Sequence, residues 1–244
     1  MDVLKPNWHA PTHVRAFSTL KQGGYSSPPY ASLNLGDHVG DDPKTVERNR
    51  TLLVDTLKLP QFPRFLNQIH STHVLTLPTT THNFEADAVY SNQANQVCLV
   101  MTADCLPVLL TNTAGNEVAA AHAGWRGLCH GILERTVEKF NTPAEQLIAW
   151  LGPAISQPHF QVGKEVREQF IQQDPDAERA FLPDPDVKER YLADLYLLAT
   201  QRLNRLGIRQ VSGGDYCTFA QKEKFFSYRR EQRTGRMASL IWFE

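Results

Sequence analysis

Three separated segments of the sequence carry side chains that bind transition metals. They are Gln68-Ile69-His70, Thr102-Ala103-Asp104-Cys105-Leu106-Pro107 and Ala121-His122-Ala123-Gly124-Trp125-Arg126-Gly127. Cys105 offers a sulfur, and His70 and His122 offer ring nitrogens. Three protein ligands of these types leave a fourth tetrahedral position open, which distinguishes a catalytic zinc site from a structural one. We therefore interpret the three residues as ligands of a catalytic Zn²⁺.

The same residues are open to other interpretations. A lone cysteine after an apolar strand is often a small core residue, and a histidine at a strand end often bonds only to backbone. Cys105 is also a candidate nucleophile with His122 as its base, which would make the protein an acyl-transfer enzyme. Three unlinked residues are a weak motif, so spacing alone leaves these alternatives open.

Polar residues beside the candidate ligands suit supporting roles. Asp104 is a candidate to orient a ligand or to shuttle protons, and Gln68 is a candidate to hold a ligand through a hydrogen bond. Gly124 and Gly127 allow a tight turn around Arg126, which can present backbone N–H groups to the site. His38 lies in a glycine-bounded loop, where lining a site and simple surface placement are equally compatible with the sequence.

Two basic clusters are candidates for phosphate binding. Lys21 precedes a Gly-Gly turn and the hydroxyl of Ser26, a combination that suits an anion. Arg229 and Arg236 lie near the C-terminus, and their guanidinium groups suit phosphate or carboxylate. The alternative for each cluster is an ordinary solvent-facing turn.

The composition describes a globular protein without the charge pattern of a nucleic-acid binder. The 244 residues are 41% hydrophobic and 21% charged, with a net charge of −1, and no composition break marks a boundary, so we expect one domain over residues 1–244. No run approaches the roughly 18 apolar residues that span a bilayer, and the start lacks a secretory signal. We expect a cytoplasmic monomer with no membrane partner. The four cysteines show no C-x-x-C spacing, which argues against a zinc ribbon or a thioredoxin-like pair.

The elements that must position these residues alternate irregularly along the chain. Helical periodicity predicts helices that begin at Asp42-Pro43, span about 128–140, and lie near 163–172 and 191–206. Short apolar runs predict strands at 14–19, 65–69, 73–77, 88–90, 97–102, 108–111, 118–122, 147–151, 210–211, 225–229 and 238–242. Residues 174–186, rich in Pro and Asp, indicate a loop. Because strict β-α-β alternation is absent, we predict a mixed α/β protein with a mixed sheet covered by helices, not a Rossmann domain.

Several segments together resemble the laccase-domain family, whose members are also called multicopper polyphenol oxidoreductases, purine nucleoside phosphorylases and peptidoglycan editing factors. The cysteine and second histidine motifs above carry most of the resemblance. The other matching segments are Ser32-Leu33-Asn34-Leu35-Gly36, Asn67-Gln68-Ile69-His70, Ala86-Asp87-Ala88, Leu151-Gly152-Pro153-Ala154-Ile155, Phe226-Ser227-Tyr228-Arg229-Arg230 and Thr234-Gly235-Arg236-Met237-Ala238-Ser239. The similarity extends over about residues 17–242.

The resemblance implies a single αββα-type domain with zinc on His70, Cys105 and His122. It also implies phosphorolysis of adenosine, guanosine, inosine and methylthioadenosine, and deamination of adenosine. Deamination suits an open zinc site, since activated water attacks the purine C6. Phosphorolysis gives the basic residues a role, and the candidate substrate and phosphate ligands are Lys21, Ser26, Gln68, Arg126, Arg229 and Arg236. Many relatives have Arg where Lys21 stands, and Lys keeps the charge without the bidentate geometry.

The family resemblance and the candidate ligands also allow functions other than purine phosphorolysis and deamination. The main alternative is hydrolysis of a UDP-muramyl amino acid amide during cell-wall precursor editing, which the same zinc site or Cys105 would also suit. Copper oxidation is disfavoured because multicopper oxidases need many more histidines than the nine here, and no His-x-His pair occurs. A purely structural metal is disfavoured because structural zinc normally has four protein ligands.

Overall fold

The computed structural model of the chain describes all residues from Met1 to Glu244. The strands are β1 (Val3–Leu4), β2 (Val14–Thr19), β3 (Val74–Leu77), β4 (Ala88–Ser91), β5 (Cys98–Thr102), β6 (Leu106–Asn112), β7 (Val118–Ala123), β8 (Leu147–Leu151), β9 (Gln161–Gly163), β10 (Phe181–Pro183), β11 (Arg190–Ala193), β12 (Gln210–Gly213) and β13 (Met237–Phe243). The helices are α1 (Pro43–Leu57), α2 (Trp125–His130), α3 (Ile132–Val137), α4 (Lys164–Gln173), α5 (Leu195–Arg205) and α6 (Tyr228–Glu231). Three short 3₁₀ helices span Ala144–Gln146, Gln157–His159 and Pro175–Ala180.

The strands form three sheets, none of which closes into a barrel. The six-stranded sheet has the order β12-β8-β6-β7-β4-β3, the four-stranded sheet β1-β2-β13-β5, and the small sheet β10-β11-β9. In the six-stranded sheet, β12 runs parallel to β8 and β3 parallel to β4, while the central pairs are antiparallel. The predicted mixed sheet is confirmed.

The two large sheets pack face to face, and helices cover their outer faces. Along β5, Val100 points to the six-stranded sheet whereas Leu99 points to α1, because successive strand side chains face opposite sides. Along β6, Leu109 faces the other sheet whereas Leu110 packs in the layer formed with α2, α3 and α5. Both faces of these strands are buried, which explains their continuous apolar runs. The layers are therefore α, β, β and α, as the family resemblance implied.

Two predicted helices have different bounds. Residues 128–140 do not form one helix, because Gly131 adopts φ 98°, ends α2 and begins α3. A left-handed residue cannot continue a right-handed helix, and glycine accepts it without a Cβ clash. The helix predicted from residue 191 begins instead at Leu195, because the Asp194 carboxylate accepts the N–H of Leu197 and caps it. Residues 190–193 form β11.

Two predicted strands and one predicted loop were wrong. Residues 65–69 form no strand; Asn67 makes only an isolated bridge to Glu85. Residues 225–229 lead into α6, which Ser227 caps by accepting the N–H of Arg230. The segment 174–186 contains a 3₁₀ helix and β10 rather than irregular loop alone. The helix predicted near 163–172 is confirmed as α4. None of the helices has both the length and the apolar character that crossing a membrane requires.

Candidate metal centre

Three elements bring the predicted metal ligands together at one end of the central strands of the six-stranded sheet. Cys105 immediately precedes β6, and His122 lies near the end of β7, its antiparallel partner, so the hairpin places them side by side. His70 comes from the segment before β3. The ligand atoms of the three residues all lie within 4.8 Å of one another, and Cys105 Sγ is 4.0 Å from His70 Nε2.

The donor set and its spacing fit a tetrahedral ion such as Zn²⁺. Zinc bonds of about 2.3 Å to sulfur and about 2.0–2.1 Å to nitrogen would separate Cys105 Sγ and a histidine nitrogen by about 3.5 Å. A movement of about half an ångström from the 4.0 Å separation would reach that distance. His70 is exposed whereas His122 is buried. The site is therefore open on one side, as a catalytic centre requires.

Asp87 positions two of the three ligands and was not among the predicted site residues. Its Oδ1 accepts a 2.8 Å hydrogen bond from Nδ1 of His122, which leaves the Nε2 of that ring free to bind metal. The same carboxylate accepts the backbone N–H of His70 at 3.0 Å, and both the N–H and the hydroxyl of Ser71 at 2.6 and 2.7 Å. These bonds hold His70 at φ 59°, a left-handed conformation unusual for a residue with a Cβ. The available sequence signal was a carboxylate at the start of a buried strand, in Ala86-Asp87-Ala88, where it needs partners.

The three ligands strongly influence one another's ionisation. Burial opposes ionisation of Cys105, but the charge and hydrogen bonding of His122 and His70 outweigh it and lower the thiol pKa to about 6. Burial likewise opposes protonation of His122, but Cys105 and Asp87 outweigh it and raise the imidazole pKa to about 9. The pKa of Asp87 is lowered because its bonds to His122 and Ser71 outweigh burial. The cysteine is therefore favoured as a thiolate, the form that binds metal.

A cavity of about 420 Å³ opens beside the three ligands. This volume lies within the range of small-molecule sites. Its lining holds cationic, aromatic and thioether groups but no Asp or Glu. The lining residues are His38, Gln68, His70, Met101, Thr102, Ala103, Cys105, His122, Arg126, Tyr228 and Arg236.

Gln68, Arg126 and Arg236 are the predicted substrate-binding residues that line this cavity. Gln68 is fixed to β5, since its amide donates to Met101 O at 2.8 Å and accepts Met101 N–H at 2.7 Å. The guanidinium of Arg126 lies 4.4 Å from the ring centroid of Trp125. The Nη1 of Arg236 donates to the carbonyls of Thr234 and Gly235, each at 3.1 Å.

Lys21, Ser26 and Arg229 lie outside the cavity lining. Ser26 is buried and donates its hydroxyl to Asp41 at 2.6 Å. Arg229 donates to the carbonyl of Gln161 at 2.9 Å. The structure therefore gives Ser26 and Arg229 partners within the protein.

Asp104 anchors the C-terminal segment instead of facing the cavity. Its carboxylate accepts the hydroxyls of Thr218 and Ser227 at 2.6 and 3.0 Å and the N–H of Arg229 at 2.6 Å. Asp104 itself has φ 89° and is buried. Both carboxylate oxygens of Asp104 accept hydrogen bonds from the C-terminal segment, and these bonds place α6 with Tyr228 at the cavity.

Two further lining residues extend the predicted site. Tyr228 begins α6 and His38 lies in the loop before α1; both side chains are more than half exposed. The sequence left His38 undecided between the site and the surface, and the structure places it in the cavity wall. Tyr228 belongs to a segment that carries the family resemblance, but it was not among the predicted site residues.

The fold and the site together define a mixed α/β protein of αββα layers that gathers two histidines and one cysteine beside an open cavity. The chain matches the family described as multi-copper polyphenol oxidoreductase laccase over residues 15–244. It belongs to that family, which confirms the resemblance found in the motifs.

Two named relatives and two solved structures cover 95–100% of this chain. A Haemophilus influenzae protein named purine nucleoside phosphorylase is 59% identical over 100% of both chains. The Escherichia coli purine nucleoside phosphorylase YfiH is 53% identical over 98% of both chains. The crystal structure of a Neisseria meningitidis protein, NMB0706, is 45% identical, covers 100% of both chains and has a TM-score of 0.94. A Bacillus licheniformis hypothetical protein YfiH has a TM-score of 0.86 at 30% identity, with coverage of 95% of this chain and 93% of its own.

Proposed function

We propose that the protein is a zinc-dependent purine nucleoside phosphorylase that also deaminates adenosine. The observation that carries the proposal is the convergence of His70, Cys105 and His122 within 4.8 Å beside a cavity lined by two arginines and no carboxylate. The relatives named purine nucleoside phosphorylase, at 53% and 59% identity, support the substrate class.

The cavity suits an anionic co-substrate. Arg126 and Arg236 both line it, and neither forms an ion pair with a carboxylate of the protein. Arg236 uses Nη1 for backbone carbonyls, which leaves its Nε and Nη2 hydrogens for a ligand. Guanidinium groups bind phosphate through paired N–H donors. In phosphorolysis these residues would hold phosphate so that an oxygen attacks C1′ as the glycosidic bond breaks.

The remaining lining suits the nucleoside. The thioether of Met101 and the exposed ring of Tyr228 offer apolar and aromatic surface for a purine. His70, Cys105 and His122 would hold the metal, and Asp87 would keep His122 in the tautomer that binds through Nε2. A bound Zn²⁺ would supply Lewis-acid polarisation at this site.

A direct product assay tests the proposal. Purified protein of measured metal content is incubated with adenosine or inosine, with and without phosphate. Inosine should form from adenosine without phosphate, and hypoxanthine with ribose 1-phosphate should form from inosine only with phosphate. Cys105→Ala should abolish both reactions. Cys217→Ala is the matched control, since Cys217 lies outside the cavity lining.

The contradicting outcomes are equally concrete. No product from the wild-type protein, or equal product from Cys105→Ala, would exclude the purine function. A parallel incubation with UDP-muramyl-serine measures released amino acid, and release there without purine turnover would assign the site to precursor editing instead.

A further inference from the structure

Deamination of adenosine needs a group that moves a proton from the attacking water to the leaving ammonia. In zinc-dependent base deaminases a glutamate that is not a metal ligand performs this transfer. The cavity here has no Asp or Glu in its lining. Three aspartates lie near the cavity without lining it: Asp87 bonds to His122 and His70, Asp104 bonds to the C-terminal segment, and Asp37 is paired with Arg50.

Apart from the three candidate metal ligands and the two arginines, the ionisable residues in the lining are His38 and Tyr228. A phenol is normally protonated near neutral pH, so Tyr228 is not equipped to accept a proton. An imidazole changes protonation state in this range and both accepts and returns protons. His38 is therefore the better equipped of the two.

Two charged residues, Asp37 and Arg50, form a chain of electrostatic contacts that begins at His38. Its Nδ1 lies 3.6 Å from Oδ1 of Asp37, and Oδ2 of Asp37 lies 3.2 Å from Nη2 of Arg50. Arg50 is fixed in turn, because its Nε donates to Leu35 O at 3.0 Å and its guanidinium lies 3.8 Å from the ring centroid of Phe65. At 3.6 Å the contact between His38 and Asp37 is electrostatic and not a hydrogen bond, and the negative charge beside Nδ1 favours the tautomer that carries its hydrogen there and a lone pair on Nε2.

The surroundings of His38 favour the neutral ring. Although more than half of its side chain is exposed, the partial burial of His38 in the cavity wall and the positive charge of Arg236 lower its pKa, and Asp37 offsets this only in part. Its ring also lies close to Gly36, where a Cβ would be 3.4 Å from His38 Cε1 and 2.8 Å from Arg236 Cγ. The glycine thus lets the imidazole and the guanidinium approach each other at the cavity.

We infer that His38, with the negative charge of Asp37 beside its Nδ1, is the proton shuttle for adenosine deamination in this cavity, an inference that rests on the deaminase half of the proposed function. The water oxygen bonds to C6 while one water proton moves to Nε2 of His38 and the C6–N1 π electrons shift onto N1. The proton then passes from Nε2 to the exocyclic amine. The C6–N bond breaks with its electron pair on nitrogen, ammonia leaves, and the electrons on N1 restore the double bond to C6. The 6-hydroxypurine tautomerises to inosine.

Loss of the His38 shuttle should affect deamination and phosphorolysis to different extents. Deamination uses the shuttle twice, whereas attack of phosphate dianion on C1′ requires no base. His38→Gln keeps a polar side chain of similar reach but cannot carry a proton. We expect it to lower adenosine deamination by about 100-fold or more, the usual contribution of general acid–base catalysis. Guanosine phosphorolysis should fall by much less, with the zinc content unchanged.

A change of leaving group adds a readout that a merely structural role would not move. Chloride leaves 6-chloropurine riboside without taking up a proton, so that substrate needs the shuttle only for the attack of water. The loss caused by His38→Gln should therefore be smaller for 6-chloropurine riboside than for adenosine. His130→Gln is the matched control, since His130 is exposed on α2 and lies outside the cavity lining.

Asp37→Asn is the second variant and decides the matter if His38→Gln fails to fold. It keeps the imidazole but removes the negative charge beside Nδ1 that favours the proton-accepting tautomer, and we expect a loss of about tenfold in deamination alone. Equal losses in deamination and phosphorolysis, or unchanged deamination, would overturn the role of His38 while leaving the proposed function intact. Wild-type protein that phosphorolyses guanosine but does not deaminate adenosine would overturn the shuttle and the deaminase half together. Absence of both wild-type reactions would overturn the whole proposed function as well.

Discussion

The Asp87 carboxylate lies 2.8 Å from Nδ1 of His122, with the aspartate fully buried and the histidine 4% exposed. The same carboxylate accepts the backbone N–H of His70, so one buried side chain orients two candidate metal ligands from different segments. Partners that fix a ligand's tautomer and direction typically account for 10–100-fold in metal affinity.

Asp87→Asn should weaken zinc binding by about 10–100-fold. An amide keeps the shape but can present an N–H to Nδ1 of His122, which disfavours the tautomer that binds through Nε2. Competition with a chelator of known affinity measures the change. Asp215→Asn is the control, since Asp215 is exposed and lies outside the cavity lining. Equal zinc affinity in the two variants would contradict a role for Asp87 in positioning the ligands.

Gly124→Ala should impair zinc binding more than it impairs folding. A Cβ at Gly124 would lie 3.0 Å from Cys105 Sγ and 3.1 Å from His70 Cδ2, so both ligands would have to shift. The backbone at Gly124 has φ −61°, which alanine adopts without strain. We expect bound zinc to fall below one equivalent at zinc concentrations that saturate the wild type. The apparent Tm of the metal-free protein should stay within a few degrees of the metal-free wild type. Full zinc occupancy would show that the ligands tolerate the methyl group.

The sequence predicted the candidate metal ligands more completely than the residues that position them. The runs that became β5, β6, β7 and β8 were recognisable because both faces of these strands are buried, which leaves continuous apolar segments. The role of Asp87 depends on contacts with residues 69–71 and 122, and a local sequence pattern does not predict such long-range contacts. The anchoring contacts of Asp104 were hidden for the same reason, since its partners lie more than 100 positions away in the sequence.

Short elements were the other source of error. The strands β9, β10 and β11 have three or four residues each, too few for a clear periodic pattern. They form because they pair with one another at the edge of the core, a tertiary effect that overrides local propensity. The break at Gly131 was visible as a glycine, but only the packing of α2 and α3 shows that its conformation ends a helix.

Glu117→Gln should destabilise the fold by about 2–3 kcal/mol at pH 7, the effect of disturbing a buried, charged hydrogen-bond acceptor. The Glu117 carboxylate is buried and accepts the hydroxyl of Tyr90 at 2.5 Å and the backbone N–H groups of Asn141 and Thr142 at 2.7 and 3.1 Å. Urea denaturation of the metal-free proteins measures the difference. Glu47→Gln, on the exposed side of α1, is the control and should change stability little.

The wild-type protein and Glu117→Gln should differ in how their stability changes in acid. Burial raises the pKa of Glu117, but its bonds to Thr142, Tyr90 and Asn141 outweigh burial and lower it from 4.5 in the folded state. A lowered folded pKa contributes stability that is fully present above the unfolded value and is lost as the pH falls through the folded value. The stability gap between wild type and Glu117→Gln should therefore be constant from pH 7 to about pH 5.5 and narrow below about pH 4.5. A gap that widens in acid would show that the carboxylate is not favoured in its ionised form.

Arg236→Gln should raise the KM for phosphate by about 10–100-fold, equivalent to losing a charged hydrogen bond of about 1.5–3 kcal/mol. Arg236 lines the cavity. Within the protein its side chain donates hydrogen bonds only through Nη1. The KM for the nucleoside should change less, because the guanidinium is assigned to the anion. Steady-state phosphorolysis of inosine at varied phosphate gives both constants.

Variants at the other predicted phosphate ligands show whether the cavity lining identifies the anion site. Lys21→Gln and Arg229→Gln should raise the phosphate KM far less than Arg236→Gln, because neither residue lines the cavity and Arg229 is bonded to the carbonyl of Gln161. Arg209→Gln, exposed and outside the lining, corrects for the loss of one positive charge from the whole protein. A large increase for Lys21→Gln or Arg229→Gln with no change for Arg236→Gln would move the phosphate site to those residues and away from the arginines of the cavity.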